Sequence, residues 1–346
     1  MLDGSGKVGD RVERGSGGAQ SGVELSFCVV NTGCRDLLLR CLDAVGRERA
    51  ALGFATEALV LDNASQDGSA AAARAHPAVN EVIALDRRRG KAANDSELLK
   101  RSCGRYCLLL NEDSELQPGA SARLHAVLEA RPHAGAAAAA LLSPGGVLAP
   151  SAWRFPSAVV ALATALLLHR RLVVQSGGEG VRVVDWAQSS AMLVRRSAAE
   201  QIGWLDPAFF VYSDEVDFCR RLADAGWATL HVPDARAVHH EQLSSSVIPQ
   251  RRIVEFSRNR DRYMKKHHSA AAARTVRWLT AWTYALRALA ALVLPGHDPR
   301  RYLRHVSASL FPGRGEGVRE AAERHNRELD EREAGSGVDY QRTSTS

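Results

Sequence analysis

Several chemistries are excluded by what the chain lacks. Its six cysteines, Cys28, Cys34, Cys41, Cys103, Cys107 and Cys219, include no CxxC pair, which argues against a zinc knuckle. No GxGxxG follows an apolar run and no GxxxxGK[ST] occurs, so neither the dinucleotide fingerprint nor the P-loop is available. No DNA- or RNA-binding motif is present, and nucleic acid is not an expected partner. The first twenty-odd residues are rich in Gly and Ser with mixed charge, unlike a secretory signal, so a reducing cytoplasmic setting is expected. A clean membrane span is lacking as well. Ser157–Leu168 is strongly apolar but short of the roughly twenty residues a bilayer needs. Ala270–Leu294 is longer but carries Arg274, Arg277 and Arg287.

What is present is a chain of 346 residues with 45% apolar content, enough for one large α/β domain or two smaller ones. Its net charge of +6 comes largely from arginines scattered through the second half, which suits anionic ligands or a membrane surface.

Tyr106–Leu116 organises the rest. The apolar run Tyr106–Leu110 reads as a strand buried on both faces, and it stops at Asn111, Glu112 and Asp113. Carboxylates there stand at the carboxyl edge of a sheet, where open α/β folds bind ligands. Such acids either hold a divalent cation that bridges to phosphates or simply supply turn chemistry.

Earlier in the chain, Leu25–Val30 reads as a first strand, Asp36–Val45 as a helix, Ala58–Leu61 as a second strand and Val82–Leu85 as a third. Helices are predicted from Ser69, over Gly90–Lys100 behind the basic loop Arg87–Lys91, and over Pro118–Ala130. Strands alternating with helices predict right-handed βαβ units and a mostly parallel sheet. Asp62 ends the second strand, placed either to accept a pyrimidine N–H or to cap an Asx turn. Beyond a glycine-punctuated turn at Leu141–Leu148, Ser157–Leu168 reads first as a buried helix and second as a lipid-facing surface.

A second acidic group follows: Asp214, Glu215 and Asp217, behind the aromatic lead-in Phe209–Tyr212 and at the start of a helix over Val216–Ala225. Acids cap helix N-termini, but three in four positions exceed that need, and one could serve as a general base. A strand over Ala228–Val232 leads to His239 and His240, imidazoles suited to a metal or a phosphate. Residues 250–268 form a cationic face, and Ala270–Leu294, with Trp278 and Trp282, fits an interfacial amphipathic helix. Val318–Ala334 is predicted to be a charged, solvent-exposed helix.

Five stretches in order carry a family resemblance: LSFCVVNTGCRDLLLRCL, LVLDNASQDGS, GRYCLLLNEDSEL, SAMLVRRSAAEQIGWLDPAFFVYSDEVDFCRRLADAGW and VPDARAVHH. Over roughly residues 24 to 265 the sequence resembles inverting glycosyltransferases of family 2, in particular the rhamnosyltransferase-like branch. The resemblance implies a GT-A fold, an α/β architecture with a Rossmann-like, mostly parallel central sheet and flanking helices, here with a C-terminal helical extension. The implied organisation is a tail over 1–22, the transferase domain over 23–265, amphipathic and membrane-associated helices over 266–312, and a charged helix with a disordered end over 313–346.

By position, the resemblance assigns Asp62, Asn63, Asn94 and Glu112 to the nucleotide. It assigns Asp113, with His239 or His240, to Mg2+ or Mn2+, and Glu215, beside Asp214, to the catalytic base. It implies a nucleotide-sugar donor and a glycan or polyprenyl-linked acceptor, met at the inner face of the cell membrane. Four departures stand out. Glu112 replaces the proline of the usual Asn-Pro-Asp. The usual Glu-Asp order is reversed at Asp214-Glu215. Gly33 takes the place of a polar residue. Arg88-Arg89-Gly90-Lys91 replaces Asn-x-Gly-Phe. The alternative these departures imply is a catalytically impaired glycosyltransferase-like binding module.

Overall fold

The computed structural model describes residues 22–240 and 249–343. The tail expected over 1–22 therefore lies, Gly22 apart, outside the described residues. The chain opens as the sequence predicts, with β1 (Leu25–Asn31), α1 (Arg35–Ala51), β2 (Thr56–Asp62), α2 (Ser69–Ala75), β3 (Glu81–Ala84), α3 (Lys91–Arg101) and β4 (Tyr106–Asn111). These four strands run parallel in the order β3-β2-β1-β4. β1 is buried along its whole length because helices cover both faces. Phe27 and Val29 pack with Leu38 and Leu42 of α1, while Cys28 and Val30 pack with Leu98 and Leu99 of α3.

The second half extends the sheet. It comprises β5 (Ser114–Leu116), α4 (Ala120–Glu129), β6 (Ala134–Leu142), β7 (Leu148–Ala149), β8 (Ala152–Trp153), α5 (Ala158–Ala165), α6 (His169–Leu172), β9 (Arg182–Val184), β10 (Trp186–Ala187), β11 (Ala191–Arg195), α7 (Arg196–Gln201), α8 (Asp214–Asp224) and β12 (Ala228–His239). β11 lies antiparallel between β4 and β6, β12 runs parallel to β6, and β5 pairs antiparallel with the end of β12. The carboxyl ends of β1, β2, β4 and β12 thus converge on one edge. Four helices finish the chain: α9 (Pro249–His267), α10 (Ala270–Ala290), α11 (Pro299–Leu310) and α12 (Val318–Thr343). Tyr263, Met264, Ala273 and Val276 of α9 and α10 share a buried cluster with Phe209 and Val216, which roots this extension beside the second acidic group.

Three features depart from the sequence reading. β6 was not foreseen, although it sits in the middle of the sheet. α5 is not buried: Val159 is 76% exposed, and only Ala165 of the helix is buried. Its neighbour is α10, which covers one side and leaves the other open. α12 is not simply solvent-exposed, because one face of it packs over the carboxyl edge of the sheet.

Candidate active site

A cavity of about 490 Å³ opens at that edge, and both acidic groups line it. Glu112 and Asp113 arrive at the end of β4, Asp214 and Glu215 at the start of α8, and His239 at the end of β12. The register of β5 against β12 sets His239 opposite Ser114, next to Asp113. His239 Nε2 lies 3.3 Å from Asp113 Oδ1. The two are close but not aligned as a hydrogen bond, and Asp113 Oδ1 stays buried with no hydrogen-bond partner among the described residues. Ser190 Oγ lies between the amide of Asn111 at 3.2 Å and His239 Nε2 at 3.3 Å. Burial, then the charge of Asp113, pushes the Glu112 carboxyl up to about 8.

The second group is set by strained backbone. Tyr212 and Ser213 both lie in the left-handed region, at φ 65° and 60°, although neither is glycine. Such conformations cost of order 1–3 kcal/mol each and concentrate at functional sites. Here they turn the chain so that α8 begins inside the cavity. Asp214 is fully buried, with both carboxylate oxygens lacking partners among the described residues. Burial, then Glu215, holds its pKa well above the usual carboxylate range, and Lys91 opposes them. Glu215 is only part-buried and faces the cavity. Of the reversed pair, Glu215 can therefore meet a substrate while Asp214 lies beneath it.

The basic loop closes a third side. Gly90 packs so tightly on Phe210 that a Cβ would stand 2.7 Å from the Phe210 carbonyl oxygen, and Lys91 N–H donates to that oxygen at 2.6 Å. Arg88 and Arg89 line the cavity, with Arg88 Nε and Arg89 Nε and Nη2 buried and unpartnered among the described residues.

The remaining expected residues fall as follows. Asn94 lines the cavity, fully buried, with neither amide atom partnered among the described residues. Asn63 also lines it, but its amide is engaged with the backbone of Arg89. Asp62 lies beneath the cavity wall and accepts from Asn31 Nδ2 at 2.6 Å and Ser65 N–H at 3.1 Å. His240 turns away to Glu115 at 2.7 Å, and Glu115 also pairs with Arg40. Sequence reasoning missed Ser189, Ser190, Tyr212, Arg324 and His325 as cavity residues. The Gln-Ser-Ser run before β11 was the one available signal for the two serines.

Elsewhere, Glu24, His125 and Glu129 come close enough for a metal. Arg105 pairs with both glutamates and Tyr106 donates to Glu129, so that cluster, at the opposite edge of the sheet, is already neutralised.

Residues 26–149 match the family described as glycosyl transferase family 2, and residues 108–312, more than half of the chain, match glycosyl transferase family group 2. The chain belongs to the family 2 glycosyltransferases. This glycosyltransferase is 29% identical over 269 residues to the N-acetylglucosaminyl-diphospho-decaprenol L-rhamnosyltransferase of Mycobacterium tuberculosis, covering 69% of this chain and 85% of that protein. It is 40% identical over 58 residues to rhamnosyltransferase WbbL of Escherichia coli, covering 17% of this chain and 22% of that one. In fold it resembles mannosyltransferase PcManGT of Pyrobaculum calidifontis, solved with GDP-Man and Mn2+. The TM-score is 0.52 at 16% identity, over 84% of this chain and 85% of that one. The glycosyltransferase thus has the GT-A fold that its sequence implied.

Proposed function

We propose that this glycosyltransferase moves a sugar, rhamnose by its relatives, from a nucleotide-diphospho-sugar to a hydroxyl of a polyprenyl-linked acceptor, in one inverting displacement. The observation that carries this reading is the meeting of Glu112-Asp113 and Asp214-Glu215 in a single cleft. Glu215 takes the proton of the attacking hydroxyl. Asp214, buried below it, and Lys91 set the charge around that base. Arg88 and Arg89 bring unpartnered guanidinium donors to a diphosphate, for which Arg is geometrically suited. Asn94 offers a free buried amide to the nucleotide.

The residues present fit a divalent cation, Mg2+ or Mn2+: the buried, orphaned Asp113 Oδ1 stands beside His239 Nε2. When bound, such an ion neutralises charge developing on the leaving diphosphate. His240, committed to Glu115, is left out of this set.

A lipid-linked acceptor makes the inner face of the cell membrane the place of reaction. Among the described residues no helix is long and apolar enough to cross a membrane. The exposed apolar side chains of α5, α6, α10 and α11 support contact from one side instead.

Glu215→Gln tests the assignment. Turnover of donor and acceptor should fall about 10²–10⁴-fold, the usual worth of a general base. Binding of the nucleoside diphosphate with Mn2+, followed by calorimetry, should be retained. Wild-type turnover in the variant would overturn the role of Glu215.

A further inference from the structure

We infer that helix α12 is a fixed wall of the donor cleft and that Asn326 positions the loop carrying Arg88 and Arg89. The inference rests on the reading of that cleft as a donor site. Neither family match extends past residue 312, so nothing in the family likeness assigns α12 a role.

In the loop between β3 and α3, Leu85 N–H still donates to Asp62 C=O of β2 at 2.9 Å, but beyond it the backbone polar groups leave the sheet and need partners from elsewhere. Two asparagine side chains provide them. Asn63 Oδ1 accepts from Arg89 N–H at 2.8 Å and its Nδ2 donates to Arg89 C=O at 3.0 Å. Asn326 does the same for the preceding residue: its Oδ1 accepts from Arg88 N–H at 2.8 Å and its Nδ2 donates to Arg88 C=O at 3.0 Å. Consecutive residues are thus clasped by planar amides, one from the residue just after β2 and one from α12. Arg87 adds an ion pair to Asp330, one helical turn beyond Asn326, with Nε 2.8 Å from Oδ1.

α12 is itself well anchored. Glu320 accepts from Gly317 N–H at 2.7 Å, in the manner of a capping box, and receives both 2.6 and 2.8 Å bonds from Arg258 of α9. Glu255 of α9 accepts from Arg319 N–H at 3.2 Å. At Gly317 any side chain would collide with the Glu255 carboxylate. So held, α12 presents Val318, Ala321, Ala322 and His325 to the cavity, spaced as one helical stripe, with Arg324 beside them. The small residues leave room for a ligand, and Arg324, paired with Glu316, stands with Glu328 at the edge of that stripe.

Two variants of the full chain test this, with Arg327→Ala on the exposed face of α12 as control. Asn326→Ala removes two hydrogen bonds to the loop and should raise the donor KM about ten-fold, with kcat changed less than about two-fold. Ala321→Phe fills the wall and should raise the same KM. It keeps the question open to test should Asn326→Ala fail to fold, as thermal unfolding would reveal. Unchanged donor KM in both, or faster turnover in either, would overturn the inference, the latter making α12 an inhibitory cover. Should the wild type transfer no sugar, the functional reading fails instead. Calorimetric affinity for the nucleoside diphosphate with Mn2+ then still decides the role of Asn326.

Discussion

Lys91 stands where the family pattern has phenylalanine, and its ammonium enters a nest of carboxylates. It donates to Asp95 Oδ2 at 2.5 Å and to Ser189 Oγ at 2.9 Å. Burial works against its charge, but Asp95, Asp214 and Glu215 outweigh it, and its pKa stands above the ordinary lysine value. Reciprocally, Lys91 draws down the pKa of Asp214, which burial and Glu215 raise. A general base acts beside deprotonated neighbours, so removing this cation should raise the pKa of Asp214 further and let it keep its proton, beneath the base, to higher pH. Lys91→Met should therefore move the acid limb of the kcat/KM profile to higher pH. On that limb, activity at a fixed pH falls about ten-fold for every pH unit the limb moves. The single variant also leaves Asp95 buried and unpaired, a loss of about 3–5 kcal/mol in such cases. Lys91→Met with Asp95→Asn should recover that stability while still moving the limb upward. An acid limb that stays in place in both variants would show that Lys91 serves packing alone.

At the level of elements, the chain was legible where apolar runs end abruptly in acids. β1, β2 and β4 were readable because a strand buried on both faces leaves a continuous apolar signature; Asn31 ends β1, Asp62 ends β2, and Glu112 and Asp113 follow β4. β6 was not readable. Its sequence, AGAAAAALL, favours helix by propensity and has none of the branched residues enriched in strands. What decides is packing: Ala137 and Ala139 join the cluster on one face of the sheet, Ala136 and Ala138 that on the other. Small side chains let α4 and the end of α8 approach closely. At Gly135 an added Cβ would stand 2.9 Å from Trp227 Cβ and 3.1 Å from Leu222 Cδ2. Gly135→Val should thus cost about 1–3 kcal/mol by overpacking, despite the better strand propensity of valine. A lower denaturant midpoint would confirm it; an unchanged or higher one would mean that Trp227 yields freely. The site was legible to the same extent as its elements. Asp113, Glu215 and His239 sit at strand ends or a helix start, whereas Arg324 and His325 belong to a helix whose placement no local pattern encodes.

For the molecule as a whole, the distribution of apolar surface is lopsided. Trp278 and Trp282 are 67% and 58% exposed on α10, and Val293 just beyond it is 82% exposed. Leu166, Leu167 and Leu172 add to this surface from the α5–α6 segment, which packs on α10, and Leu303 from α11, which does so as well. Arg287 lies near enough to His169 of α6 to depress its pKa, after burial, so cations stand among these apolar groups. Arg170, Arg171, Arg300, Arg301 and Arg304 belong to the same helices. Tryptophans and leucines beside arginines are what a helix lying in the headgroup layer of an anionic bilayer requires. The full chain should therefore float with vesicles containing anionic phospholipid and bind neutral vesicles more weakly. Added salt should lower the anionic binding towards the neutral level, since the arginine contribution is screened while the apolar one is not. Trp278→Glu with Val293→Glu should weaken flotation about ten-fold or more and leave nucleoside-diphosphate binding intact, because neither residue lines the cleft. If the double variant floats like the wild type, or if the wild type stays with the soluble fraction, the acceptor must be brought to the enzyme by some route other than this face.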